Sequence, residues 1–360
     1  MLTVYDVFQS SGVPQYTRVD VEEHNDSILG FLSTPGEHLI IHGPSKTGKT
    51  TLWTSQIGLA HVIKIPCNER TSLDSVYGDI IDELDVFFTS STNTEAKVKS
   101  GFQAELKAKI YGLLDGGVKS SIEGERGSGE SKERIIPPTI GSRNISKYLK
   151  AANKHVVLEN IHYSNPEFRR QLSKDLHNFS DYDTKWIVVG VQHQADQVFI
   201  ENRDLVGRLR EIKCGVFDKS KAKEVLLLGS DLLNIEFSDH IQNRIFEESS
   251  GYAALVQDIA KNLCLVASIT GRQEKLVRIE DEKLLLLACN KIANTCAQVY
   301  SKFCDDIAKG GRSDGSTEKY KWFLRLIRDR TIPHKGLLNT EVYAEIHSCP
   351  KQHLSEIPSW

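Results

Sequence analysis

Residues 43–50 carry the most specific chemical pattern in the chain: a glycine, four further residues, a second glycine, a lysine and a threonine. This spacing is typical of loops that bind nucleotide phosphates. The glycines let backbone N–H groups come close to the phosphates, and a helix that begins after the loop favours an anion at its N-terminus. We expect Lys49 to reach the β- and γ-phosphates of ATP, and the Thr50 hydroxyl to hold Mg²⁺. The predicted nucleotide-binding residues are Gly43, Pro44, Ser45, Lys46, Thr47, Gly48, Lys49, Thr50 and Thr51.

An acidic residue ends an apolar segment farther along the chain. Residues 155–158 are His-Val-Val-Leu and Glu159 follows them, which predicts a buried strand with a carboxylate at its end. That carboxylate would help to hold the Mg²⁺ that the Thr50 hydroxyl binds. The next position usually carries the acid that polarises the attacking water, but here it is Asn160. An amide can hydrogen-bond water but cannot take its proton at neutral pH, so we expect weak or impaired hydrolysis.

Three explanations of Asn160 are open from the sequence. The protein hydrolyses ATP slowly with help from a nearby group such as His162, or it mainly binds ATP as a switch, or an engineered Asp→Asn change traps the bound state. For His162 itself, an ordinary turn residue packed at the end of a strand is at least as good an interpretation as a catalytic residue.

The segments around these residues predict a parallel sheet. Residues 38–42 form an apolar run that leads into the loop, residues 49–60 form a helix, and residues 62–66 form a second strand. This strand–loop–helix–strand order opens a βαβ unit. The predicted fold class is therefore α/β, with a P-loop NTPase parallel sheet followed by an all-helical lid. Further strands are predicted at 155–158, 186–191 and 212–214, and helices at 21–32, 166–179, most of 219–271 and 273–309.

Residues 90–142 interrupt the α/β pattern and are predicted to be an insertion. Apolar and polar residues alternate with period two over 102–110 and, in part, over 118–123. We interpret residues 101–124 as an inserted β-hairpin, followed by a flexible tether. A surface loop without regular structure is the alternative interpretation.

Residues 310–360 predict a linker and then short helices. Residues 318–330 form a basic amphipathic helix, and this helix with its successors suggests an incomplete winged-helix segment. A solvated helix face is the preferred interpretation of the basic residues, so DNA binding is possible but not favoured. The predicted domains are a nucleotide-binding domain at 1–217, a lid with its helical extension at 218–309, and the linker and winged-helix segment at 310–360.

Composition and charge exclude several classes of protein. Of 360 residues, 39% are hydrophobic and 26% are charged, which is ordinary for a globular chain. A net charge of -3 gives no overall attraction to nucleic acid or membrane. No apolar run approaches the roughly 20 residues of a bilayer span, and the first residues lack the pattern of a signal peptide. Seven cysteines without a CxxC pair predict reduced thiols and a cytoplasmic location.

The motifs resemble those of the signal-transduction ATPases with numerous domains (STAND) and, more widely, of origin-recognition-type AAA+ ATPases. The resemblance covers about residues 15–265. It implies that residues 43–50 are the Walker A loop and residues 158–163 the Walker B segment. It also implies that residues 187–193 are the sensor-1 strand, so that Gln192 or the histidine after it would contact the γ-phosphate or the water.

The same resemblance implies three further features. Residues 17–20 would pass over the adenine, and residues 249–255 would belong to the lid, with Ala253 in place of the usual proline. An arginine finger for a neighbouring subunit would come from just before the fifth strand, where Arg208 is the first choice and Arg210 the second. A surface or interface salt bridge is the alternative for these arginines.

Three functions are compatible with these expectations. The leading one is a nucleotide-controlled switch that binds ATP and Mg²⁺ and self-associates or engages an effector protein; by analogy with the family, it would act in bacterial defence against phage. The second is an origin-recognition-type loader that binds DNA. The third is a structural subunit that binds ATP without hydrolysing it.

Overall fold

The computed structural model describes residues 2–84, 141–191, 205 and 207–309. Its helices are α1 (Val4–Val7), α2 (Glu22–Ser33), α3 (Lys49–Ile57), α4 (Leu73–Glu83), α5 (Ser142–Ala152), α6 (Pro166–Asp181), α7 (Lys219–Leu233), α8 (Asp239–Ser249), α9 (Ala253–Val266) and α10 (Glu282–Lys309). Its strands are β1 (His38–His42), β2 (Val62–Pro66), β3 (His155–Glu159), β4 (Trp186–Gly190), β5 (Leu209–Lys213), β6 (Ile235–Phe237) and β7 (Val277–Ile279). The predicted hairpin at 101–124 and the predicted winged-helix segment at 310–360 lie outside the described residues.

Five parallel strands form the main sheet in the order β2-β3-β4-β1-β5. All residues of β1 and β4 are buried, as is usual for strands that helices cover on both faces. The register pairs His42 at the end of β1 with Gly190 of β4 and Lys213 of β5. Because the strands are parallel, their carboxyl ends meet at one edge, where ligands of open α/β sheets bind. The segments that follow β1 and β3 therefore emerge at the same edge, on either side of the end of β4.

Two hydrophobic cores hold the helices on the sheet. On one face α4, α5 and α6 pack around a core that contains Phe179 and Trp186, whose ring centroids lie 4.4 Å apart. On the other face α2 and α3 pack around a core that contains the fully buried Phe31 and Trp53. Complete burial of one such side chain stabilises the fold by roughly 1.5–3 kcal/mol. The second core fixes α3, the helix that follows β1, against the sheet.

The segment after β5, which the sequence predicts to be a lid, is mainly helical. Asp218 caps α7 by accepting a hydrogen bond from the Lys221 amide, and Asn234 ends α7 in the left-handed conformation. Besides the expected helices, the lid contains a two-stranded parallel ladder of β6 and β7. The helix expected from residue 273 is accordingly replaced by this strand, and α10 begins only at Glu282. A three-residue strand carries too little periodicity to be distinguished from helix by sequence.

The N-terminal segment packs on the lid. Thr3 caps the short helix α1 through a reciprocal pair of hydrogen bonds with Asp6. The Val4 amide donates to the Thr270 carbonyl at 2.9 Å, and Phe8 lies directly against Gly229 of α7. Sheet, lid and N-terminal segment belong to one compact unit, Met1–Leu285, and the chain from Leu286 onward forms a second. Within the described ranges, no helix is both long and apolar enough to cross a membrane.

Candidate functional site

The predicted phosphate loop connects β1 to α3 at the carboxyl edge of the sheet. Gly43 has φ of 144°, and a Cβ at this position would lie 2.0 Å from the Cys214 carbonyl oxygen just after β5. Gly48 has φ of 88° and begins α3 without a side-chain cap. The first backbone N–H groups of α3 are therefore left for an anion rather than for a capping side chain. Both glycines are required by the backbone geometry of the loop.

Lys49 folds its side chain back along this loop. Its Nζ donates to the carbonyl oxygens of Gly43 at 2.9 Å and Pro44 at 2.5 Å. Partial burial lowers the pKa of the ammonium group, while the neighbouring Cys214 and Glu159 act in the opposite direction. The charge therefore lies within the loop, next to the position that a phosphate chain would take.

Glu159, at the end of β3, is the acidic centre of the site. Its side chain is largely buried, and Oε1 accepts hydrogen bonds from Thr50 Oγ1 at 2.8 Å and from Trp53 Nε1 at 3.1 Å. The other carboxylate oxygen, Oε2, lies 3.1 Å from Lys64 Nζ. The two predicted Mg²⁺ residues, Thr50 and Glu159, are thus brought together. The Thr50 proton points to the carboxylate, so its lone pairs are available to a metal ion.

Asn160 directly follows Glu159, and His162 lies in the short 3₁₀ turn Ile161–Tyr163 that begins after it. Asn160 is exposed, lines the cavity described below, and adopts the left-handed conformation with φ of 59°. His162 packs on the neighbouring tyrosine ring at 4.1 Å between centroids. Burial, and secondarily Lys49, lower the pKa of His162. Its Nδ1 is buried and makes no hydrogen bond within the described part of the chain. A catalytic role of either residue stays a prediction.

The phosphate loop opens into a cavity of about 570 Å³ that the N-terminal segment, the sheet edge and the lid line together. The Ala254 amide of α9 donates to the Lys46 carbonyl oxygen at 3.4 Å. Gln257 of α9 donates to the Thr17 carbonyl oxygen at 3.1 Å, and both of these side chains are buried. Lid and N-terminal segment therefore meet at the phosphate loop, with Lys49 and Thr50 at the base of the cavity.

The residues present fit a nucleotide with Mg²⁺. The cavity volume lies in the usual range for small-molecule sites. A helix N-terminus without a side-chain cap and a partly buried ammonium group complement phosphate charge. Thr50 and Glu159 supply the hard oxygen atoms that Mg²⁺ prefers.

The proposed arginine finger lies away from this cavity. Arg208 precedes β5, and β5 runs parallel to β1, so Arg208 is at the edge of the sheet opposite to the phosphate loop. Its guanidinium group contacts Asp181 Oδ1 at 2.7 Å and His177 Nδ1 at 3.1 Å. Arg210 likewise pairs with Glu37 at 2.9 Å. Neither arginine can reach a nucleotide in its own chain, and a role toward a neighbouring chain stays a prediction.

Gln192, the predicted sensor-1 residue, lies outside the described residues. The strand that precedes it, β4, lies between β1 and β3. The chain therefore leaves β4 at the sheet edge that carries the phosphate loop and Glu159. A contact between Gln192 and the γ-phosphate stays a prediction.

Sequence reasoning missed three residues of the site: Trp53, Lys64 and Gln257. Trp53 lies one helical turn after Thr50, so the two side chains share a face of α3. Lys64 interrupts an otherwise apolar strand, and this interruption was the one available signal. Gln257 gives no signal in the sequence, because its partner Thr17 is far away along the chain.

Comparison with protein-family models finds no match, and comparison with curated proteins finds none either. Among solved structures, the Walker-type ATPase of Pyrococcus abyssi superposes with a TM-score of 0.51 at 14% identity, over 95% of this chain and 93% of that one. Cdc6p from Pyrobaculum aerophilum gives 0.46 at 15% identity, over 74% and 67% of the two chains. The STAND protein with a tetratricopeptide repeat sensor from Pyrococcus horikoshii gives 0.40 at 10%, over 72% and 31%.

The parallel sheet and its phosphate loop define the class: the chain has the P-loop NTPase fold. The likeness to the Pyrococcus abyssi structure supports this fold and, at 14% identity, nothing finer. The predicted fold class is confirmed, and the expected relationship to P-loop AAA+ ATPases is confirmed at the level of the fold.

Proposed function

We propose that this protein is an ATP-binding regulatory ATPase that changes its assembly state with its nucleotide and hydrolyses ATP slowly. One observation carries the proposal: Lys46 of the phosphate loop accepts a hydrogen bond from Ala254 at the start of the lid helix α9. A nucleotide bound in the loop would therefore also contact the lid. Its binding energy would depend on the position of the lid, which is the requirement for a ligand to shift a conformational equilibrium.

The N-terminal segment extends this coupling. Thr17 donates to the Val7 carbonyl oxygen at 2.7 Å and is bonded to Gln257 of α9, so the segment and the lid are joined by buried hydrogen bonds. A nucleotide that orders one of them would order the other. In the proposed mechanism, ATP holds phosphate loop, lid and N-terminal segment together, and the surface of this closed form recruits a second copy or an effector protein.

Slow hydrolysis follows from the residues beside the phosphates. Mg²⁺, when bound, would be held by Thr50 beside Glu159 and would neutralise charge on the β- and γ-phosphates. Asn160 can orient a water molecule but cannot accept its proton. His162 is the nearby group that could, since its lowered pKa keeps the imidazole neutral at pH 7. A role in bacterial defence and a cytoplasmic location are part of this proposal and rest on the family resemblance and the cysteine pattern.

The proposal is tested by the Lys49→Ala variant. Loss of the ammonium group should abolish tight ATP binding, weakening it roughly 100-fold, because it removes charge-assisted hydrogen bonds to the phosphates. Titration of a fluorescent ATP analogue measures the affinity, and circular dichroism verifies the fold.

The matched control is Lys46→Asn, which removes a charge from the same loop but tolerates the positive φ of 64° at this position. We expect a loss of less than about tenfold, because the Lys46 side chain is solvated. Unchanged affinity of a folded Lys49→Ala protein would contradict nucleotide binding by this loop. DNA binding with a steep salt dependence, without any change of mass on adding ATP, would contradict the switch and favour a loader.

A further inference from the structure

Lys64 places a positive charge at the acidic centre of the site. Lys64 is on β2, and the register of β2 and β3 pairs it with Val157. Because side chains alternate along a strand, Lys64, Val157 and Glu159 share one face of the sheet. The Lys64 ammonium group lies 3.1 Å from Glu159 Oε2 and 6.0 Å from the centre of the Trp53 ring.

Groups of the protein alone therefore supply the hydrogen bonds and the positive charge that the Glu159 carboxylate needs. Thr50 and Trp53 donate to one oxygen, and Lys64 neutralises the other. A largely buried carboxylate requires such compensation, since loss of hydration destabilises its charged form. Glu159 is also expected to help hold Mg²⁺. Lys64 and the metal ion would therefore both interact with the negative charge of the Glu159 carboxylate.

We propose that Lys64 is a built-in cation that competes with Mg²⁺ for Glu159 and makes nucleotide binding less dependent on the metal. The inference rests on the proposed function, because it concerns the same nucleotide site. Without metal, the Lys64 charge supports the phosphates and keeps Glu159 from repelling them. With metal, the same charge repels Mg²⁺ and lowers its affinity.

The position of Lys64 distinguishes this role from that of a simple ion pair. Its side chain is 43% exposed and lines the cavity together with Lys49 and Thr50, so it faces the space in which a nucleotide would lie. A purely structural pair would change the stability of the protein but not the response of nucleotide binding to metal.

The test measures the affinity of a fluorescent ATP analogue in Mg²⁺ and in EDTA for the full-length protein. The dissociation constant in EDTA divided by that in Mg²⁺ reports the metal dependence. We expect Lys64→Met to raise this ratio about tenfold over the wild type, through weaker binding in EDTA and a lower Mg²⁺ concentration at half-saturation, because a unit charge acts over a few ångströms in a partly solvated site. Lys64→Arg, which keeps the charge, should retain the ratio of the wild type.

Two further variants control the result. Lys223→Met breaks an ion pair with Asp239, at 3.2 Å, that lies outside the cavity lining, and should leave the ratio unchanged. In a Glu159→Gln background, Lys64→Met should raise the ratio by less than in the wild type, since the shared negative charge is gone. If Lys64→Met does not fold, Lys64→Gln takes its place with the same expected increase.

The outcomes distinguish failure of this inference from failure of the proposed function. Absence of nucleotide binding by the wild type in both Mg²⁺ and EDTA would overturn the proposed function and this inference with it. Nucleotide binding with the same ratio in the wild type and in Lys64→Met would overturn the competition of Lys64 with Mg²⁺ and leave the proposed function standing.

Discussion

Asn160 occupies a backbone position that limits which residues can stand there. Its φ of 59° and ψ of 38° are in the left-handed region, which costs most residues roughly 1–2 kcal/mol but is tolerated by glycine, asparagine and aspartate. The conformation thus explains why a small polar residue follows Glu159. It does not require the amide in place of a carboxylate, because aspartate fits the same backbone.

Replacement of Asn160 by aspartate should therefore increase ATP turnover without loss of stability. We expect a rise of roughly 100-fold, the lower end of what a well-placed general base contributes, measured as phosphate release at saturating ATP. Asn160→Gly is the matched control, because it accepts the same backbone angles but has no base. A high rate in the wild type that Asn160→Gly leaves unchanged would show that another group, with His162 as the first candidate, activates the water.

His38 connects the start of β1 to α6 and β4 as a neutral imidazole. Its Nε2 lies 2.7 Å from the Leu176 carbonyl oxygen, and its Nδ1 lies 3.3 Å from the Trp186 amide, which donates to it. Nε2 therefore carries the proton, and the ring has no free lone pair. Burial lowers the pKa of His38 to about 4, because protonation would place a charge in the core and lose the bond from Trp186.

Acid should destabilise the protein through His38. The unfolded residue titrates near 6.5 and the folded one near 4, so this contribution to stability is complete above pH 6.5 and is lost as the pH falls toward 4. The loss amounts to about 3 kcal/mol. Urea unfolding of the wild type and of His38→Gln at pH 7, 5.5 and 4.5 measures it. The wild type should lose more stability than the variant over this range, and parallel curves would contradict the assignment.

At the scale of elements, the phosphate loop and the end of β5 can contact each other because Gly43 has no side chain. The Cys214 amide donates to the His42 carbonyl oxygen at 2.8 Å, so the backbone after β5 runs directly against Gly43. Any side chain at this position would push the two segments apart and move Lys49 with them.

Gly43→Ala should lower the free energy of unfolding by about 1–3 kcal/mol and abolish ATP binding, since a Cβ would lie 2.0 Å from the Cys214 oxygen. Gly78→Ala in α4 is the matched control. Its added Cβ would meet no atom within 4 Å, and alanine in a helix interior should raise stability by roughly 0.5–1 kcal/mol. Thermal unfolding and nucleotide titration check both variants. Equal stability of the two would contradict the close contact at Gly43.

At the scale of the whole molecule, the proposed switch requires a surface through which the chain assembles. Residues 101–124 are predicted to form a hairpin with one apolar face, and a two-stranded hairpin alone is marginally stable in water. We therefore expect this face to have a partner. The candidates are the core of its own domain, another copy of the chain and an effector protein; a second chain is favoured, because the glycine-rich flank would let the hairpin extend beyond its own domain.

Deletion of residues 101–130, with a short Gly/Ser replacement, should preserve ATP binding and reduce the mass reached on adding ATP. Light scattering coupled to size-exclusion chromatography measures the mass, and titration of a fluorescent ATP analogue measures binding. Loss of folding would assign the segment to the core of its own domain. An unchanged mass would show that it is a passive loop.

The sequence by itself determined the phosphate loop, the strand before it and the helix after it. All of their determinants lie in contiguous residues: the apolar run of β1, the positive φ values at Gly43 and Gly48, and the lysine and threonine that begin α3. Local backbone preferences and the hydrophobic period are properties of short segments, so they can be predicted from the order of residues alone. The strand β3, which ends at Glu159, was predictable for the same reason.

Only the tertiary structure decided what surrounds these elements. The approach of Lys64 to Glu159 depends on the pairing of β2 with β3, and that of Gln257 to Thr17 on the docking of the lid. The strand at Val277–Ile279 exists because β6 lies beside it. Each of these contacts joins residues far apart in the chain, whose pairing is selected by the burial of the whole core rather than by any local preference.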